Sequence, residues 1–171
     1  EQDALKKKYY FLEQGRSDIE WHFIGHLQSN KVKKVVGEFT CIQSVDSLKL
    51  LQTIDEVAGK KNVIQDIFIQ VNLANDTAKF GFDRQGFESN ISRIFAFQNC
   101  IIKGIMIIAP HSSHEYVLRP FFKSARQFFE NVSCQFPSVN TLSMGMSGDC
   151  ELAVEEGSNM VRVGSILLDA I

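Results

Sequence analysis

Six short apolar runs, rich in β-branched residues, recur along this 171-residue chain, and a longer stretch with helical spacing separates each from the next. The runs cover 21–25, 39–45, 66–72, 101–109, 139–143 and 160–165. Several are apolar nearly throughout rather than alternating, as strands covered on both faces are. Repeated strand–helix alternation implies a parallel sheet with right-handed crossovers. A doubly wound sheet and a (β/α)8 barrel both satisfy the pattern. Ligands bind at the carboxyl ends of the strands in either case, so those ends are where chemistry is sought.

The intervening segments carry the marks of helices. Asp46 and Ser47 stand ahead of 48–58, where Leu50, Leu51, Ile54 and Val57 fall on one stripe. Asp83 precedes a segment holding Phe87, Ile91, Ile94 and Phe95, and 115–136 holds Phe121, Phe122, Ala125, Phe128, Phe129 and Val132. Ser147 or Asp149 can cap 150–156, and Gly157 supplies a stop. At these spacings the 14 phenylalanines read as core rather than as a base-stacking surface. The opening EQDALKKKYYFLEQ is also helical, with Ala4, Leu5, Tyr9 and Leu12 as its apolar side. A parallel βα fold ordinarily has a strand ahead of such a helix, so the sequence is expected to start inside a longer chain.

Composition narrows the function classes. The length suits residues 1–171 as a single domain, and 44% hydrophobic residues suffice for a sizeable core. A net charge of −2 gives no electrostatic footprint for nucleic acid. Lys31, Lys33 and Lys34 read as a solvated helix face. No run approaches the roughly 18 apolar residues of a membrane span, and no signal peptide is visible. Cys41, Cys100, Cys134 and Cys150 are far apart and form no CxxC pair, so they read as free buried thiols of a cytosolic protein, not metal ligands. No serine–histidine–acid or cysteine–histidine arrangement supports nucleophilic hydrolysis.

The last strand ends MVRVGS. Arg162 lies between Val161 and Val163, so its side chain projects on the opposite face from theirs. With the valines under the helices, Arg162 points into a barrel interior or cleft. There a guanidinium, which cannot shed its charge, meets either a carboxylate from another strand or a ligand. Gly164 and Ser165 follow, offering backbone N–H groups and a hydroxyl to a phosphate. Ser143 ends the preceding run and is expected to neighbour them in the sheet. His26, Ser44, Asp46, Asn72 and Lys79 also follow strand ends, and Lys79 reads as a solvated loop lysine.

Several stretches resemble one family: WHFIGHLQSNKVK at 21–33, IQSVDSLKL at 42–50, QVNLANDTAKFGF at 70–82, IKGIMIIAP at 102–110 and LSMGMSGDCELAVEEGSNMVRVGS at 142–165. They look like the pyridoxal-phosphate homeostasis protein family, also called YggS-like or proline synthetase co-transcribed homologue. That family is itself similar to the amino-terminal barrel domain of alanine racemase. The resemblance implies a (β/α)8 barrel, with these six runs as strands three to eight, and pyridoxal 5′-phosphate held near the strand carboxyl ends. By resemblance, Ser143 takes the place of the family's phosphate-binding serine. Gly164 and Ser165 match its glycine and following hydroxyl residue, and Arg162 matches the arginine that faces the pyridine nitrogen. An arginine there donates a hydrogen bond but does not readily protonate the ring, which leaves the cofactor a weaker electron sink than one paired with a carboxylate.

The resemblance therefore implies a cytoplasmic carrier and regulator of vitamin B6 cofactor without robust catalysis. Its partners are pyridoxal phosphate and cofactor-accepting apo-enzymes, with no nucleic acid and no membrane, and it is expected as a monomer or weak homodimer. The alternative is an alanine-racemase-like amino acid racemase, which needs acid–base groups on both cofactor faces, normally including a tyrosine from a second domain. A chain ending at Ile171 is expected to leave no room for one. The chain departs from the family pattern at the Schiff-base lysine, which the family carries in a segment like AVSKTKP, followed by a strand ending FGEN. Neither segment occurs in the 171 residues, so the barrel domain is expected to be N-terminally incomplete.

Overall fold

Each apolar run becomes a strand, and each amphipathic stretch between them becomes a helix or a turn leading into one. The computed structural model describes residues 2–164. The strands are β1 (His22–Phe23), β2 (Cys41–Val45), β3 (Gln65–Val71), β4 (Cys100–Ile107), β5 (Thr141–Met146) and β6 (Met160–Arg162). The helices are α1 (Gln2–Glu13), α2 (Val32–Val35), α3 (Leu48–Lys61), α4 (Arg84–Ile94), α5 (Glu115–Gln135) and α6 (Cys150–Glu155).

The strands pair in chain order, β1 to β6, and every pairing is parallel. A doubly wound sheet reverses its order at a switch point, whereas sequential order is the barrel arrangement. The sheet is also curled. Gln43 on β2 reaches Ser143 on β5 at 2.8 Å and the sulfur of Met160 on β6 at 3.2 Å, across the concave side. The fold is thus of (β/α)8-barrel type, with six of its strands among the described residues.

The main core lies on the convex side. Ile42, Ile67, Ile69, Ile105, Ile107, Leu142 and Met144 meet Leu51, Ile54, Phe87, Phe122 and Phe128 from the helices, all buried. Burying one of those phenylalanines contributes about 2 kcal/mol. A smaller cluster, Cys41, Phe68 and Met106, fills part of the concave side. Val32 and Val35 are fully buried while Lys33 and Lys34 are exposed, so those two lysines form a solvated helix face, whereas Lys31 is half-buried in the 3-10 turn before it.

The helix starts follow their capping residues. Ser47 Oγ accepts from the Leu50 N–H at 3.3 Å, and Asp83 Oδ1 accepts from the Gly86 N–H at 2.6 Å. Two expectations need correction. In α1 only Ala4 and Leu5 pack against the core, while Tyr9 and Leu12 stay exposed beside the Lys8 and Tyr9 bonds to Glu38. Of the four thiols only Cys41 and Cys100 are buried, because Cys134 faces solvent on α5 and Cys150 is half-covered. Burial pushes both buried thiols up to about 12. Among the described residues no helix is long and apolar enough to cross a membrane.

Candidate functional site

Arg162 leaves β6 on the concave face, as its place between two valines predicts. Its NH1 donates to the backbone oxygen and to Oγ of Ser143, both at 2.8 Å, and its NH2 donates to the Ile107 carbonyl at 2.9 Å. These acceptors lie on β5 and at the carboxyl end of β4. No carboxylate among the described residues stands within ion-pair distance of it. Burial lowers the guanidinium's pKa and Asp149 opposes that through space. The group stays charged because an arginine cannot be deprotonated in a protein. Its remaining N–H groups have no acceptor among the described residues.

Ser143 is not at the end of its strand. β5 runs on to Met146, and Ser143 pairs with Met160, fully buried. Its hydroxyl is engaged with Gln43 and Arg162. The hydroxyl beside Gly164 belongs instead to Ser147, whose Oγ accepts from the Gly164 N–H at 3.1 Å. The apolar run in the sequence stops at Ser143, but the strand continues because Met144 is buried under the helices and Gly145 adapts. Gly145 has φ +95, and a Cβ there would stand 2.6 Å from the Ala153 Cβ of α6. That glycine serves packing. Gly164 differs, since no described atom lies within 4 Å of where its Cβ would point. Ser165 lies outside the described residues.

The mouth above these strands is closed in part by a loop. Asn72 binds the Asp76 carbonyl at 2.8 Å, Gln70 binds the Phe80 carbonyl at 2.8 Å, and Gly81 at φ +130 packs against the Asn72 backbone. The loop sets Phe80 flat on His26, ring centroids 3.7 Å apart, and His26 Nδ1 lies 3.2 Å from Asp46. Lys79, expected as a solvated loop lysine, is 20% exposed and donates to the Ala109 carbonyl at 2.6 Å. Ser44 donates to the Gly25 carbonyl at 2.6 Å. Beneath the mouth, Gln43 and His22 join the interior network, with Gln43 Nε2 2.8 Å from His22 Nδ1. The only sequence signal for Gln43 was a long polar residue at the inward position two after Cys41 on a buried strand.

A curled parallel sheet in sequential order, with an inward arginine and an open glycine at the carboxyl end of its last described strand, defines a (β/α)8-type barrel with a candidate ligand site at its mouth. The family profile described as alanine racemase, N-terminal domain, matches residues 12–170. The pyridoxal phosphate homeostasis protein of Aquifex aeolicus is 36% identical over 162 residues, covering 94% of this chain and 70% of that protein. The protein of the same name from Escherichia coli (strain K12) is 31% identical over 172 residues, 99% of this chain and 72% of its own. PipY of Synechococcus elongatus, solved with PLP bound, superposes with a TM-score of 0.88 at 35% identity, covering 97% of this chain and 77% of that one. The chain belongs to the pyridoxal phosphate homeostasis protein family.

Proposed function

We propose that this chain binds pyridoxal 5′-phosphate at the carboxyl ends of β5 and β6 and serves vitamin B6 homeostasis as a carrier and regulator. The observation that carries this reading is Arg162, an inward guanidinium fixed by Ser143 and the Ile107 carbonyl, with N–H groups that no described residue takes up. In this reading Arg162 meets the pyridine nitrogen, and Gly164 and Ser165 meet the phosphate. Ser143, the family's phosphate serine by resemblance, has its hydroxyl engaged beneath Arg162; Ser147 is the described hydroxyl at the level of Gly164. The cofactor's own contribution is an electron-withdrawing ring, which a permanently protonated arginine leaves only weakly activated. That supports delivery to apo-enzymes over turnover of amino acids. PLP bound to PipY supports the choice of ligand.

The test is titration of the 171-residue chain with pyridoxal phosphate. Arg162→Leu is expected to weaken binding by about 10- to 100-fold, the worth of a charge-assisted hydrogen bond. Gly164→Val is expected to lose binding while keeping the wild-type urea midpoint, because no described atom lies within 4 Å of where its Cβ would point. Unchanged affinity in both variants overturns the site.

A further inference from the structure

A chain of side chains crosses the barrel interior from Arg162 to the edge strand. Arg162 NH1 donates to Ser143 Oγ at 2.8 Å, Ser143 Oγ donates to Gln43 Oε1 at 2.8 Å, and Gln43 Nε2 stands 2.8 Å from His22 Nδ1. All three bonds point away from the guanidinium. The direction fixes the last member: Gln43 Nε2 is a donor, so Nδ1 accepts, and the neutral ring carries its proton on Nε2. Ser143 is 0% and Gln43 2% exposed, so water cannot stand in for a lost partner. Gln43 Nε2 has a second contact, the Met160 sulfur at 3.2 Å.

We propose that Gln43 and His22 are positioning residues for Arg162, and that protonation of His22 breaks the chain and loosens the arginine's hold on the cofactor. This rests on the reading that Arg162 meets pyridoxal phosphate. A protonated imidazole has no lone pair on Nδ1, so Gln43 must turn its amide over to offer Oε1. Its NH2 then faces Ser143 Oγ, which already accepts from Arg162, and the serine hydroxyl proton loses its acceptor. With neutral His22 every member is satisfied; with charged His22 one buried donor is orphaned.

The groups facing His22 come from several elements. Glu20 Oε2 is 4.0 Å from Nε2, Asp66 on β3 acts through space, and Cys41 pairs with His22 in the sheet. The Cys41 thiol, pushed up to about 12, is uncharged. Phe68 turns its ring edge-on to the imidazole at 6.2 Å, and His26 and Lys31 line the same cavity. Burial outweighs the two carboxylates and holds His22 below its ordinary 6.5. A depressed base is neutral at pH 7, so the intact chain is present there and is lost as pH falls through the depressed value.

The test compares pyridoxal phosphate affinity from pH 8 to 5 for the wild-type chain, His22→Phe, Gln43→Leu and Arg162→Leu. The cofactor phosphate titrates in all four, so the differences between profiles carry the result. The wild-type chain is expected to lose about three- to tenfold more affinity on acidification than His22→Phe, with Gln43→Leu weak and flat. The unaltered protein gives a second readout by nitrogen NMR. Its free form shows His22 protonated on Nε2, and by linkage the cofactor lowers the His22 pKa by the matching factor, about 0.5 to 1 unit. Superimposable profiles for wild type and His22→Phe, a proton on Nδ1, or a His22 titration unmoved by cofactor each overturn the proposal. Failure of the underlying reading looks different: wild-type chain that does not bind, or Arg162→Leu that binds as tightly.

Discussion

Gly145 and Gly164, both near the carboxyl end of the sheet, answer to different demands. Gly145 holds φ +95 with α6 pressed against it, so Gly145→Ala meets both backbone strain and a 2.6 Å clash with Ala153. A loss of about 2 kcal/mol or more is expected, read as a lower urea midpoint with unchanged slope. Gly164 meets no such neighbour among the described residues, which is why its substitution is expected to touch binding alone. The cysteines also separate by environment. Cys41 and Cys100 keep their protons up to about 12, while unfolded thiols lose theirs near pH 8.5. An acid whose folded pKa is raised stabilises the fold fully below the unfolded pKa and loses that contribution progressively as pH rises from there through the folded pKa. The stability loss between pH 8 and 10 is therefore expected to be shallower in Cys41→Ala, and a thiol reagent is expected to label Cys134 first, with Cys41 and Cys100 reacting only on unfolding.

At the scale of elements, local chemistry sets the helix starts and packing sets the strand ends. Ser47 closes the first turn of α3, and Ser47→Ala is expected to cost about 1 kcal/mol in urea unfolding. Asp149 occupies the N-cap position of α6 but makes no side-chain capping bond; its carboxylate accepts from the Met146 N–H at 2.6 Å and so fixes the turn out of β5. The stripes of α3, α4 and α5 were legible in the sequence because a period near 3.6 is a local property that burial only confirms. The extent of β5 was not. Met144, Gly145 and Met146 look like a turn by composition, and they stay in the strand because α6 covers Met144 and leaves room only for glycine beside it.

For the whole molecule, the sequential parallel order makes β3 and β4 the middle of the described sheet, while β1 is a two-residue edge. Amide hydrogen exchange is expected to be slowest along β3 and β4 and fastest in α1 and β1, since α1 reaches the body mainly through Ala4, Leu5 and the bonds to Glu38. Equal protection across all six strands contradicts this. The curl of the sheet decides what the inner face can do. It brings β2 against β5 and β6, so residues 100 positions apart, Gln43 and Ser143, share a hydrogen bond.

The sequence by itself determined the alternation of strand and helix, the stripes of α3, α4 and α5, the Ser47 and Asp83 caps, the inward direction of Arg162, and the family, because each is written in short-range spacing or in contiguous motifs. The tertiary structure alone decided that Ser143 lies under Arg162 rather than beside Gly164, that Ser147 takes that neighbouring place, and that His22 and Gln43 connect to the arginine. Those relations depend on strand register and sheet curvature, which arise from packing the whole convex core and from no local stretch of chain.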